Sequence, residues 1–201
     1  MQNLILAAGL GIRSKGKKLL LPYQGTTIVA HAVEQSLLAG LRTVLVTGYR
    51  AKEVTQSVSH LACPLLHVIY NEHYRKGQGS STICGASYLS EDSYFFISLA
   101  DMPLIKSHHY QFLGEHATEP VIRPSYRGKL GHPVLLDPSF LPIIRNQRNS
   151  FTMRGLLKEY PLKAIPVDDE AYITDIDTLE AYHRLTASSQ PCGQPPHQIE
   201  G

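Results

Sequence analysis

The chain has 201 residues, which is enough for one domain with a substantial core. Hydrophobic residues make up 43% and charged residues 18%, proportions typical of a globular protein. The net charge of +2 is too small to indicate binding to nucleic acid or a membrane surface. The three cysteines have no metal-like spacing, and neither a signal peptide nor a membrane-length apolar stretch is evident. We therefore expect a cytoplasmic protein with no nucleic-acid and no membrane partner.

Strand-like and helix-like segments alternate through the first half of the chain. The strand predictions are residues 3–7, 43–46, 65–70 and 94–100, and the helix predictions are 27–38, 51–60 and about 78–89, the last capped by Ser80 or Ser81. This βαβαβαβ order predicts an α/β fold of the three-layer α/β/α, Rossmann-like type with a mostly parallel sheet.

The second half of the chain is less regular. It predicts helices at 106–116, 138–146, 151–160 and 178–185, strands at 121–122, 133–136 and 164–167, and a glycine-rich turn at 127–131. Residues 187–201 contain prolines and glycines without a periodic apolar pattern. The predicted domain is therefore 1–186, followed by a disordered tail at 187–201.

The segment from Leu6 to Lys18 carries the strongest functional signal. A predicted strand runs into a loop that contains glycines, three lysines and an arginine, without an acidic residue. Glycines allow backbone N–H groups to close on an anion, and the cations neutralise it. The loop therefore indicates a site for a chain of phosphates.

Four interpretations of this loop were compared. A P-loop needs Ser or Thr in place of Lys18 and a helix that Pro22 would break. A dinucleotide-binding fingerprint needs a third glycine where Ser14 stands, and an acidic residue further on. The nucleotide loop of a nucleotidyltransferase would use Arg13 and Lys18 on a triphosphate. The remaining alternative is a connection whose lysines are only solvated.

Carboxylates occur where the sheet would bind a ligand, beyond the carboxyl ends of its strands. Asp101 follows a buried predicted strand directly, although a turn or cap before Lys106 would also explain it. Asp175 and Asp177 either share one face of a short strand, or Asp177 caps the last helix. Because Mg²⁺ usually takes one or two carboxylates plus substrate phosphates, Asp101 and Asp177 together predict a magnesium site.

Seven short motifs occur in the order found in molybdenum cofactor cytidylyltransferases, which the chain resembles over residues 3–185. They are Leu6-Ala7-Ala8-Gly9, Arg13, Lys18-Leu19-Leu20-Leu21-Pro22, Val46-Thr47-Gly48-Tyr49, residues 77–81, Asp101-Met102-Pro103, Gly131-His132-Pro133 and Asp175-Ile176-Asp177-Thr178. The resemblance implies a single-domain nucleotidyltransferase that moves CMP from CTP to molybdopterin with Mg²⁺ as cofactor, releases pyrophosphate and passes its product to a molybdoenzyme.

The resemblance also implies residue roles. Catalysis would depend on Lys18, Arg13 and Asp101, and the metal on Asp101 and Asp177. The nucleotide would contact Leu6, Ala7, Ala8, Gly9, Arg13, Lys18, Thr47, Gly48, Ser80 and Ser81, and the acceptor Gly131, His132, Pro133 and Arg154.

Two departures from the family pattern affect these roles. Ser14-Lys15 replaces the usual Met-Gly, and a common Gly-Asp-x-Gly segment is missing, which leaves Arg154 as the contact for a substrate phosphate. As an alternative to contacting the acceptor, His132 could simply pack a turn between Gly131 and Pro133. The alternatives are another phosphorylated acceptor such as a sugar or polyol phosphate, guanylyl transfer, or a non-catalytic cofactor chaperone.

Overall fold

The structure, a computed structural model, describes residues 1–9, 18–148 and 150–187. The strands are β1 (Gln2–Ala7), β2 (Pro22–Tyr23), β3 (Thr26–Thr27), β4 (Arg42–Thr47), β5 (Leu66–Tyr70), β6 (Phe95–Leu99), β7 (Val121–Tyr126), β8 (Lys129–Leu130), β9 (Val134–Leu136) and β10 (Lys163–Val167). The helices are α1 (Ile28–Leu38), α2 (Ala51–Ser57), α3 (Gln78–Ala86), α4 (Ser107–Gly114), α5 (Phe140–Arg145), α6 (Met153–Leu157) and α7 (Leu179–Ala187).

The main sheet has the strand order β10-β7-β9-β6-β1-β4-β5, with β8 paired to β7. Parallel pairs join β6, β1, β4 and β5, and another joins β7 to β10. Strand β9 runs antiparallel to both of its neighbours, β6 and β7. The predicted mostly parallel sheet is therefore confirmed.

Helices cover both faces of the sheet, as the three-layer prediction requires. Alternate strand residues face opposite ways, so Leu4 and Leu6 of β1 pack with α3, α5 and α6 in one core. Ile5 and Ala7 of the same strand pack with α1 and α2 in another core. A third cluster fills the space between α4 and the β6–β10 part of the sheet.

Several elements of the fold differ from the sequence predictions. The hairpin of β2 and β3 was not predicted, because each strand has only two residues. The predicted helix over 51–60 ends at Ser57, and a 3-10 turn follows at Ser59–Leu61. Residues 174–177 form no strand, so the strand alternative for Asp175 and Asp177 is wrong.

Across the described ranges, none of the helices combines the length and apolar character needed to cross a bilayer.

Gly85 allows α3 to approach the sheet closely. A Cβ at this position would lie 2.1 Å from Leu4 Cδ1 and 2.8 Å from Val46 Cγ2. Leu4 and Val46 are fully buried, so neither side chain can move aside without disturbing the core.

We expect Gly85→Ala to destabilise the fold by about 1–3 kcal/mol, because overpacking outweighs the helix-propensity gain. Gly114→Ala is the matched control, since its Cβ would meet only Met1 Sδ at 3.3 Å. Urea unfolding of both variants measures the difference. Equal stability of the two variants would contradict the close approach at Gly85.

Candidate active site

A lysine between two carboxylates marks the carboxyl edge of the sheet. Lys18 Nζ lies 2.5 Å from Asp101 Oδ2 and 3.2 Å from Asp177 Oδ1. The side chains of Lys18 and Asp101 are only 16% and 20% exposed, whereas Asp177 is 48% exposed. The structure thus brings together three of the predicted site residues. In the sequence, Lys18 is 83 residues from Asp101 and 159 residues from Asp177.

Local backbone contacts explain why the two carboxylates meet. Asp101 follows β6, and the N–H of Ile176 donates to the Asp101 carbonyl at 2.9 Å. The Ile176 side chain is 1% exposed and packs with Tyr23 and Ile28, which fixes the segment on either side of it. The cap of α7 is Thr178, whose Oγ1 accepts from the N–H of Ala181 at 3.1 Å. The alternative in which Asp177 caps this helix is therefore wrong.

The cluster holds a cation at a point where carboxylate oxygens converge. Burial alone would lower the pKa of Lys18, but the charges and hydrogen bonds of Asp101 and Asp177 raise it above its ordinary value. Burial, with the neighbouring charges of Asp177 and Asp101, raises the pKa of Asp175. The oxygens of Asp101 and Asp177 are hard ligands, so the same pair could hold a divalent cation in place of the ammonium.

A cavity of about 280 Å³ opens beside this cluster. Of the residues predicted to contact a nucleotide, those that line it are Leu6, Ala7, Ala8, Gly9, Lys18 and Ser81, and Asp101 lines it too. After Lys18 comes a short 3-10 turn at Lys18–Leu20 and then β2, which begins at Pro22. From Lys18 onward, no α-helix begins before Ile28 in the described residues. A P-loop lysine is followed directly by a helix, so this arrangement argues against a P-loop.

Among the predicted nucleotide contacts that the structure describes, three do not line this cavity. Thr47 is 1% exposed, and its hydroxyl donates to the carbonyl of Ile69 at 2.8 Å. A Cβ on Gly48 would lie 2.8 Å from the Cβ of Ala8, so this glycine supports the cavity from behind. Ser80 Oγ donates to the carbonyls of Gly77 and His73 and is buried.

Helix α3 begins at Gln78, where the sequence predicts it, but with a different cap. Its N-cap is Gly77, with a φ of 101°, rather than Ser80 or Ser81. The two serines instead lie in the helix, where the side-chain amide of Asn71 donates to both hydroxyls at 3.0 Å. Asn71 follows β5, so this contact joins the ends of two elements beneath the cavity.

Sequence reasoning missed several residues of the cavity wall. Tyr74 and Arg75 line it, with the Arg75 guanidinium 5.8 Å from the Tyr74 ring centroid. Gln78 lines it as well, from the first position of α3. Gln78 could have been found from the sequence, because it lies inside the motif at residues 77–81. Tyr74 and Arg75 gave no such signal, because they belong to a 3-10 turn that the sequence did not predict.

A second cavity, of about 530 Å³, adjoins the first, since Leu6 and Gln78 line both. The predicted acceptor residues His132 and Arg154 line it, together with Arg123, which was not predicted. Gly131 is buried behind this wall, where its Cβ would lie 2.2 Å from the carbonyl oxygen of Tyr172. Pro133 contacts a small pocket on the other side of His132.

His132 is uncharged at neutral pH. Burial lowers its pKa to about 4, assisted by the charge of Arg123, and the Ile97 carbonyl and Asp101 oppose this effect only in part. Its Nδ1 is buried and has no hydrogen-bond partner in the described part of the chain. A buried polar atom of this kind has lost its contact with water without gaining a protein partner, which is consistent with the lowered pKa of His132.

A second group of metal-ligating types, His108, His109 and Asp169, lies away from both cavities. His109 is buried, with 3% of its side chain exposed. Its Nδ1 accepts from the N–H of Lys106 at 2.8 Å, and its Nε2 donates to Asp169 at 3.0 Å. Because both ring nitrogens are used to hold α4, this arrangement is structural.

Some sequence predictions lie outside the described residues. Arg13 and the Ser14-Lys15 departure belong to residues 10–17, and most of the predicted tail belongs to residues 188–201. The assignment of Arg13 to a triphosphate therefore stays a prediction.

The mostly parallel sheet and the cluster of Lys18, Asp101 and Asp177 are typical of nucleotide-binding α/β transferases. The family described as the MobA-like NTP transferase domain matches residues 3–164. The chain therefore belongs to this family of nucleotidyltransferases, which confirms the family resemblance noted in the sequence.

Two curated relatives span nearly all of the chain. Nicotine blue oxidoreductase of Paenarthrobacter nicotinovorans is 28% identical over 91% of this chain and 95% of that protein. Molybdenum cofactor cytidylyltransferase of Escherichia coli is 27% identical over 87% of this chain and 90% of that protein. These two names describe different activities, so the relatives alone do not define a substrate.

Among solved structures, Rv0371c of Mycobacterium tuberculosis aligns with a TM-score of 0.79 and 20% identity, over 92% of this chain and 97% of that one. A complex of Rv0371c with manganese aligns with a TM-score of 0.72 and 20% identity, over 93% and 98%. At this identity the likeness establishes the fold.

Burial of neutral His132 makes the stability depend on pH. The folded-state pKa of about 4 lies below the ordinary value of 6.5, so the unfolded chain binds the extra proton between these values. Stability therefore rises with pH across this window and is lost as the pH falls. His31 and His109, whose pKa values burial also lowers, contribute with the same sign.

We expect His132→Gln to reduce the slope of unfolding free energy against pH between these two values by up to about 1.4 kcal/mol per unit. Urea unfolding at several pH values measures it. His67→Gln replaces an exposed histidine and serves as the control. An unchanged slope in His132→Gln would show that His132 is not held neutral.

Proposed function

We propose that the protein transfers CMP from CTP to the phosphate of a molybdopterin cofactor and releases pyrophosphate. The observation that carries the proposal is the convergence of Asp101 and Asp177 on Lys18 beside the Leu6-Ala7-Ala8-Gly9 cavity. The identity with the E. coli cytidylyltransferase supports CTP and the molybdenum cofactor as substrates. The proposal includes a cytoplasmic location and delivery of the product to a molybdoenzyme.

In this proposal the first cavity takes the donor nucleotide. The backbone of Ala7, Ala8 and Gly9 would contact the base and ribose, and Ser81 lines the same cavity. Lys18 would leave its two carboxylates and bind the triphosphate, where its charge stabilises the departing pyrophosphate. Arg13 would assist from residues 10–17.

Asp101 and Asp177 would then hold Mg²⁺, because carboxylate oxygens are suitable ligands for this ion. In the structure the ammonium group of Lys18 lies between the same two carboxylates. When bound, Mg²⁺ polarises the α-phosphate for in-line attack. The manganese complex of Rv0371c is consistent with a divalent cation in this fold. The acceptor phosphate oxygen forms the new bond to the α-phosphorus as the bond to the β-phosphate breaks. Because a phosphate oxygen is already ionised at neutral pH, no protein nucleophile or general base is required.

The second candidate is an oxidoreductase, the activity in the name of the P. nicotinovorans relative. A nucleotide cofactor could occupy the same cavity. However, a pair of carboxylates around a lysine has a direct use in metal-assisted phosphoryl transfer and no direct use in hydride transfer. The arrangement of Lys18, Asp101 and Asp177 therefore favours nucleotidyl transfer.

We expect pyrophosphate release with CTP, and only when molybdenum cofactor and Mg²⁺ are both present. The assay compares all four NTPs with and without the cofactor. Asp101→Asn should lower the rate by at least about 100-fold, since a bound metal supplies several kcal/mol of transition-state stabilisation. Asp92→Asn, an exposed position, should retain the wild-type rate. Release with a sugar phosphate as acceptor, or oxidation of a reduced nicotinamide cofactor instead, would overturn the proposal.

Competition between Lys18 and the metal gives a second test, which does not depend on turnover. Without nucleotide, Lys18→Met should bind Mn²⁺ about five- to tenfold more tightly than the wild type, because an ion pair worth about 1 kcal/mol no longer opposes the metal. The same variant should bind CTP more weakly. Titration followed by electron paramagnetic resonance measures free Mn²⁺.

Lys52→Met, which removes an exposed lysine on α2, is the control for net charge. If Lys18→Met and Lys52→Met bound Mn²⁺ equally well, the metal would not use the carboxylates that hold Lys18.

A further inference from the structure

Among the residues that the structure describes, the wall of the second cavity carries two arginines and no acidic side chain. Arg123 and Arg154 both line it, and the remaining lining residues are apolar or uncharged at neutral pH, including His132. Within the described residues, neither arginine forms an ion pair with a carboxylate. Two positive charges that share a cavity without a counterion attract an anion.

Arg123 is held in place by the backbone. Its Nε donates to the carbonyl of Gly131 at 3.1 Å, and its Nη2 donates to the same oxygen at 2.9 Å and to the Leu130 carbonyl at 3.4 Å. The side chain is partly buried. These bonds leave Nη1 without a protein partner in the described residues and fix the orientation of the guanidinium before any ligand arrives.

The two arginines lie close enough to repel one another. Burial, together with the charge of Arg154, lowers the pKa of Arg123. Arg123 is partly buried and Arg154 is exposed, so solvent screens part of this repulsion, and an anion bound between them would neutralise the remainder. Arg154 itself makes no hydrogen bond to the described protein, so its donors are available to such a ligand.

We propose that Arg123 and Arg154 form one binding site for the phosphate of a phosphomonoester acceptor. The inference deepens the proposed function and rests on its assignment of the second cavity to the acceptor. A planar guanidinium offers paired donors that match phosphate oxygens, and Arg123 is already oriented for this role. Arg123 is thus an acceptor-binding residue that no sequence motif indicated, and it determines specificity for a phosphate over an uncharged hydroxyl.

The adjoining position of the two cavities supports this role. Leu6 and Gln78 separate them, and the charge of Asp101 reaches His132 in the wall of the second cavity. A phosphate held by the arginines would therefore lie beside the donor site. Neutral His132 adds no charge, so the two guanidinium groups alone supply the attraction.

Isothermal titration with phenyl phosphate, in the absence of nucleotide and metal, tests the site directly. We expect saturable binding to the wild type and an affinity at least about tenfold lower in both Arg123→Met and Arg154→Met, the usual effect of losing a charged hydrogen bond. Arg148→Met removes an exposed arginine outside the cavity and should bind like the wild type. Benzoate should bind more weakly than phenyl phosphate if the site is built for phosphate.

The Arg154→Met variant and one added variant, Lys18→Met, keep the test decisive. Arg123→Met could loosen the Gly131 carbonyl contact, but Arg154 makes no such contact, so its variant tests the charge alone. Lys18→Met removes the donor-site cation and should leave phenyl phosphate binding unchanged. Loss of binding in Lys18→Met but not in the arginine variants would place the probe in the donor site and overturn the proposal. Equal affinity of Arg148→Met, Arg123→Met and Arg154→Met would also overturn it.

The phenyl phosphate titration and the pyrophosphate assay test two proposals that can be contradicted independently. If CTP released no pyrophosphate while the arginine variants lost phenyl phosphate, the anion site would stand and the proposed reaction would not. If pyrophosphate were released but the arginine variants kept both phenyl phosphate affinity and acceptor KM, the reaction would stand and the anion site would not.

Discussion

The site depends on one partly buried cation held between two carboxylates. Lys18 contacts Asp101 and Asp177, which belong to segments far apart in the chain. Removal of the lysine would leave two carboxylates of like charge near each other, a site that another cation such as a metal ion would neutralise. The surrounding structure maintains this arrangement: Ile176 is bound to the Asp101 carbonyl and buried against the β2–β3 hairpin, and Tyr182 of α7 donates to the Pro22 carbonyl at 2.6 Å.

Segments near the start and the end of the domain together position the carboxylates of the site. Helix α7 contributes no residue to either cavity wall, yet its first turn and the segment before it fix the position of Asp177. The hairpin, which has only two residues in each strand, covers Ile176. These short elements add little to the main cores, and their role is to hold one carboxylate near the other. A substitution at Ile176 would therefore affect the site through position rather than through charge.

The sequence predicted the elements that have strong local signals. Continuous apolar runs indicated β1 and β6, which are buried on both faces, and Asp101 was identified because it follows such a run. Tertiary contacts determined what remained hidden. Thr178, directly before the first residue of α7, caps this helix, while the adjacent Asp177 contacts Lys18. The sequence predicts a cap at Ser80 or Ser81, but α3 begins before both serines, and Asn71, from another element, donates to the Ser80 hydroxyl. Arg123 had no motif, and its role depends on carbonyls at Leu130 and Gly131 that only the fold brings near.

The antiparallel strand β9 explains why two cavities share one edge of a mostly parallel sheet. In a parallel sheet only residues that follow strands reach the carboxyl edge, as Asp101 does after β6. Because β9 pairs antiparallel with β6, with Val134 opposite Ile97, the residues that precede β9 reach this edge as well. Gly131, His132 and Pro133 therefore come beside Asp101. Strand β7 is antiparallel to β9 and so runs in the same direction as β6, which brings the β7–β8 turn to this edge as well. The segment from β8 to β9 then supplies the Gly131 carbonyl that orients Arg123, so the second cavity depends on the antiparallel β9 for His132 and for this carbonyl.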